Sequence, residues 1–147
     1  MTHLSMAGPG GVGTTARSRS LLVGTAAGAA VATVVNAALW VGGLAADASF
    51  LVTLPTGDTM QVGIVEVVLK TVLAFAVGTV LLALAVRRSH RWVRAVLVAA
   101  MLVAVLTTGG PLSNAHDTAT GVLLAAMHLV TGATFVVTAS RVATRPA

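Results

Sequence analysis

The sequence predicts an all-α fold, a membrane-embedded four-helix bundle with both termini on the cytoplasmic side. Three observations carry that prediction. Of 147 residues, 56% are hydrophobic and 9% charged, where a soluble domain carries about 25% charged residues. The apolar residues gather into four runs of helical length, consistent with a mean hydropathy of +0.96. The basic residues lie almost entirely at the ends of those runs. This composition excludes a soluble enzyme, a disordered chain and a disulfide-stapled domain. The absence of cysteine excludes thiolate and disulfide chemistry. The net charge of +5 does not point to nucleic acid. A nucleic-acid binder clusters its basic residues on one soluble face, whereas here they flank apolar runs and suit anionic lipid headgroups.

Residues 1–20 are small, polar and rich in Gly, Ser and Thr, and are expected to be a disordered cytoplasmic tail. The first helix is placed at 21–44, a run of 24 residues without a charge, or about 36 Å against a hydrocarbon core of about 30 Å. Secretory h-regions are shorter, about 7–15 residues, so the run reads as a membrane span. Residues 45–60 form an outer connection in which Pro55 and Gly57 mark a turn. The second helix is placed at 61–86, interrupted by Glu66 and Lys70. A basic elbow follows, then a third helix at 92–108, a tight turn over GGPLSNAHD, a fourth helix at 118–140 and a short tail over 142–147.

Charge sets the orientation. Arg17 and Arg19 precede the first helix, Arg87, Arg88, Arg91 and Arg94 fill the elbow, and Arg141 and Arg145 follow the fourth helix. The two remaining connections contain no Lys or Arg, and Asp47, Asp58 and Asp117 fall on their side. The positive-inside rule puts the termini and elbow in the cytoplasm.

Membrane helices associate through close packing of small residues and through interhelical hydrogen bonds. Gly24, Gly28 and Ala32 form such a stripe on the first helix, leading to Asn36. Glu66 precedes Lys70 by four residues, the order that favours a helical ion pair. Ionisable groups in a bilayer are expensive and turn toward a bundle interior or a wet cavity. Lys70, His128 and Asn36 each fall about 12–14 Å from the outer end of their helices. Asn36, Glu66, Lys70 and His128 are therefore the candidate site: a closed polar network that fixes helix register, or a ligand pocket, above an aliphatic inner half. Asn114 and Asp117 suit capping of the fourth helix. His116 and His128, twelve residues apart, are too distant along one helix to share a metal. No catalytic residue, metal or cofactor is assigned.

The segments VVNAALW and PLSNAHDTATGVLLAAMHLVTGATFVVTASR, with four helices, a basic elbow and this length, resemble a family of small four-helix membrane proteins of unknown function from high-GC Gram-positive bacteria. The matching positions are Asn36, Pro111, Met127 and His128. The resemblance implies a fold and no activity. Small multidrug exporters differ in having an essential glutamate in the first helix, and quinone-linked thiol oxidoreductases need cysteines.

Three function classes follow. The first is a non-enzymatic accessory protein or lipid-binding bundle in a bacterial plasma membrane, whose partners are the bilayer and either a second copy or another membrane protein. The second is an oligomeric proton- or ion-coupled transporter using Glu66, Lys70 and His128. The third, an intramembrane lipid enzyme, is poorly supported because the four acids are scattered singly and form no Mg²⁺-binding motif.

Overall fold

A computed structural model describes residues 12–143, with side chains from Arg19 onward; the outer parts of both predicted tails, 1–11 and 144–147, lie outside the described residues. Five helices and one hairpin occur in the order α1 Val12–Ala45, β1 Leu51–Thr53, β2 Thr59–Gln61, α2 Ile64–Arg88, α3 His90–Leu106, α4 Gly109–Asn114 and α5 Thr118–Ala143. Four helical stretches are long and apolar enough to cross a membrane: Arg19–Ala45, Ile64–Arg88, His90–Asn114 and Thr118–Ala143. At 25 residues the shortest of these extends about 38 Å, more than the hydrocarbon thickness of about 30 Å.

The helix boundaries depart from the sequence prediction in three places. Helix α1 begins at Val12, within the stretch expected to be disordered. Helix α2 begins at Ile64 rather than residue 61, because Thr59–Gln61 pairs instead with Leu51–Thr53 as an antiparallel hairpin. The third span does not stop at residue 108. Thr107 and Thr108 keep helical dihedrals and the chain runs on into α4. Pro111 is compatible with that helix because it occupies the first turn, where its missing N–H has no intrahelical acceptor to lose.

Pro55 and Gly57 do form the hairpin turn. The Gly57 N–H donates to the Leu54 carbonyl at 2.9 Å, and the Leu54 N–H to the Asp58 carbonyl at 2.8 Å. Gly57 has φ +92°, a conformation that costs glycine least.

Two apolar cores stack along the bundle. One, at the end that holds the elbow, contains Leu21, Ala32, Phe75, Leu82, Ala85, Val93, Phe135, Ala139 and Val142. The other, beneath the hairpin, contains Ala48, Phe50, Val62, Val67, Leu124 and Met127. Leu21, Ala85, Val93 and Val142 share the first core, so the start of the first span, the elbow and the end of α5 gather at one end. Arg87, Arg88, Arg91, Arg94 and Arg141 belong to that end, and Asp47, Asp58, Glu66 and Asp117 to the other.

Small residues set the helix spacing. A Cβ on Gly24 would collide with Val142 Cγ2, and one on Gly28 would stand 2.6 Å from Thr138 Oγ1 and 3.1 Å from Phe75 Cε1. Ala32, one turn further, is fully buried. The stripe on α1 therefore lies directly against α5, with Phe75 of α2 closing the third side. Helix α3 is the peripheral one. It buries only Val93, near the elbow, and Ala104, which sits where Gly132 of α5 leaves room.

Candidate functional site

Between the two cores lies a layer of three polar side chains, one from each of α1, α2 and α5. Asn36 is 1% exposed, and its Nδ2 donates to Thr71 Oγ1 at 3.0 Å and to Thr131 Oγ1 at 2.9 Å. Each threonine hydroxyl in turn donates to the carbonyl four residues back, Thr71 to Val67 at 2.8 Å and Thr131 to Met127 at 2.8 Å. A hydroxyl has one proton. With those protons committed to backbone, both threonines can only accept, so the atom facing them must be the amide nitrogen. Asn36 Oδ1 is left buried without a partner among the described residues.

The layer repeats up and down the bundle. One turn toward the elbow lie Ala32, Phe75 and Phe135, the two rings meeting edge to face at 5.6 Å. One turn toward the hairpin lie Trp40, Val67 and Met127.

The four predicted site residues do not form one network. Glu66 stands in the first turn of α2, where its Oε2 accepts the Gly63 N–H at 3.0 Å. It is a helix cap, and the ion pair with Lys70 that the four-residue spacing favours does not form. The reason is the helix start: with α2 opening at Ile64, the carboxylate is on the third residue of the helix and meets unpaired amide donors before it meets an ammonium. Lys70 lies six residues inside α2, about 9 Å from its start, and has no hydrogen-bond or ionic partner among the described residues. His128 is half-buried, and its Nδ1 donates to the Leu124 carbonyl at 2.7 Å. In the neutral ring that bond leaves Nε2 as an acceptor.

Lys70 and His128 instead share the wall of a groove of about 780 Å³, which Asn36, Thr71 and Thr131 also border. Its two sides are α2, with Leu73, Val77 and Leu81, and α3, with Val96, Ala99 and Val103; α5 forms the floor. On α2 the groove runs from Val67 to Leu81, about 21 Å at 1.5 Å per residue. It reaches well into the half expected to be a dry aliphatic plug, because α3 packs on the bundle at just two buried positions. Val52, Thr53, Leu54 and Pro55 of the hairpin roof its outer end.

That roof is fastened at several points. Trp40 Nε1 donates to the Val62 carbonyl at 3.0 Å, and its ring lies 5.9 Å from that of Phe50. Val52 pairs with Ala115 as a short bridge, and the His116 N–H donates to the Leu51 carbonyl at 3.0 Å. The central tie is Asp117. Its Oδ1 accepts the Thr120 N–H at 2.7 Å and so caps α5. Its Oδ2 accepts the Ser49 hydroxyl, the Ser49 N–H and the Thr120 hydroxyl. Thr120 Oγ1 then accepts the Phe50 N–H at 2.8 Å. The Ser49 hydroxyl, followed by the Thr120 amide and hydroxyl, holds the Asp117 carboxyl far below the ordinary carboxylate range. Asn114, the other predicted cap, ends α4 and borders the groove.

Among the described residues, no three His, Cys, Asp or Glu side chains converge as a metal site. A family model matches residues 15–145, described as a family of unknown function, DUF6069. The chain belongs to DUF6069. No curated protein and no solved structure matches it. In this DUF6069 chain the sequence singled out Asn36 and His128 as site residues but not Thr71, nor Thr131, which shares a stripe of the fourth helix with His128. Hydroxyls that bond their own backbone are common in membrane helices, so two threonines alone signal little. Their place on buried faces, four residues from buried apolar positions, was the available clue.

Proposed function

We propose that this DUF6069 protein is a non-enzymatic binder of a lipid-like molecule, held in the groove between α2 and α3. It sits in the cytoplasmic membrane of a bacterium, with both termini and the elbow inside and the hairpin outside. The observation that carries the binding reading is the groove itself: about 780 Å³, mostly apolar in lining, with Lys70 and His128 on its wall. Ligand pockets of this size, apolar with a few polar groups, are the usual form of small-molecule sites. The orientation rests on the sorting of charge, with basic residues at the elbow end and acids at the hairpin end.

A coupled transporter is less well supported, since the capping role of Glu66 removes the acid such a mechanism would use. The binding reading is tested by purifying the full chain in mild detergent and weighing it intact by native mass spectrometry. A retained amphiphile is expected at close to one per chain. Ala74→Trp and Ala99→Trp, which fill the groove from opposite walls, are expected to abolish retention while leaving the helical signal unchanged. Equal retention by both variants would show that any bound lipid sits elsewhere.

A further inference from the structure

We infer that the occupant of the groove carries an anionic head, held by Lys70. The inference rests on the lipid-binding reading above and names its ligand class. Lys70 is the single Lys or Arg among the described residues that line the groove, and its ammonium has no partner among the described residues. The nearest acid on its own helix, Glu66, is committed to the Gly63 N–H. Among the described residues nothing neutralises this exposed ammonium, although it lies on a wall that is otherwise mostly apolar. An ammonium in such surroundings is best satisfied by a charged oxygen acceptor, where charge-assisted bonds are short and strong.

Placement fixes which way the occupant lies. Lys70 is one turn from Val67 at the roofed end, and beyond Thr71 the α2 wall continues to Leu81, opposite Val96, Ala99 and Ala100 of α3, with only aliphatic and aromatic side chains and Gly78. The head lies beneath the hairpin and the chain points toward the elbow. A carboxylate and a phosphate monoester offer the same chemistry to Lys70.

The test uses the full chain in phosphatidylcholine nanodiscs and three probes: oleate, oleyl phosphate and oleyl alcohol. Wild type is expected to bind one or both anions about tenfold or more tightly than the alcohol, the scale of one charge-assisted bond. Lys70→Met is expected to bind all three alike, and Lys70→Arg to keep the preference. The better anion identifies the head. Equal binding of anions and alcohol by wild type, or a preference that survives in Lys70→Met, overturns the assignment and leaves the groove reading standing. Failure of all three probes to bind wild type overturns both.

Discussion

Asn36 Nδ2 lies 2.9 Å from Thr131 Oγ1 and binds it across the α1–α5 contact, although 95 positions separate the two residues. The bond has a direction, because Thr131 gives its own proton to the Met127 carbonyl. The same holds for Thr71 and Val67. Removing the amide therefore strands neither threonine.

An unusual mutational profile follows. Asn36→Leu keeps the shape, removes the unpaired buried Oδ1 and leaves both hydroxyls satisfied. It is expected to destabilise by less than about 1 kcal/mol, since interhelical hydrogen bonds in membranes average about 0.6 kcal/mol and an unpaired buried acceptor costs about 1–3. Asn36→Asp puts an acceptor against two oxygens and is expected to cost about 3–5 kcal/mol if it stays ionised. Reversible unfolding in mixed micelles measures both; a larger loss for Leu than for Asp would refute the directed network.

Glu66 as a helix cap makes a prediction that an ion pair does not. Glu66→Gln retains a carbonyl acceptor for the Gly63 N–H and is expected to change stability by about 0.5 kcal/mol or less, while Glu66→Ala loses about 1. A double-mutant cycle between Glu66 and Lys70 should return a coupling below about 0.3 kcal/mol, where residues in contact give about 0.5–3.

Gly28 and Gly42 share a helix and differ in surroundings. A Cβ at Gly28 meets Thr138 Oγ1 at 2.6 Å, whereas nothing lies within 4 Å of one at Gly42. Gly28→Ala is expected to cost about 1–3 kcal/mol through overpacking, and Gly42→Ala to stay within about 0.5. Parallel unfolding curves for the two variants check the contrast.

Asp117 couples the hairpin to pH. Its carboxyl is depressed below the ordinary value of 3.8 chiefly by the Ser49 hydroxyl, then by Thr120. A depressed folded-state value means that the carboxylate stabilises the docked hairpin above pH 3.8 and that this contribution fades as pH falls below it. After correction for intrinsic exchange rates, hydrogen-exchange protection of the Ser49 and Phe50 amides should be level from neutral pH down to that value and fall in stronger acid. Asp117→Asn should lower protection throughout and flatten the acid response.

How much of this was legible in the sequence depended on what punctuates it. Charges and turn residues bound the four spans, so the bundle could be read directly from Arg87–Arg94, Pro55 and Gly57. The start of α2 could not, because Gln61, Val62 and Gly63 are as compatible with a helix as with the end of a hairpin. That three-residue difference turned Glu66 from a cap into an apparent intramembrane charge. Gly109, Gly110 and Pro111 look like a helix breaker in one dimension, but proline is tolerated in a first turn. The groove was illegible for a further reason. It arises from the way α3 meets α5, through Ala104 and Gly132, and two small residues on different helices do not announce their contact.

The most direct test of the central claim is where a bound chain touches the protein. A fatty acid with a photoactivatable diazirine near its tail, added to the full chain in nanodiscs and irradiated, should label groove walls near the elbow, at Val77, Leu81 and Val96. It should spare Val31 and Val34, which are exposed on the outer face of α1 and stand for general lipid contact. Labelling spread evenly over Val31, Val34 and the groove positions would contradict the account, since it would mean that the groove is ordinary lipid-facing surface.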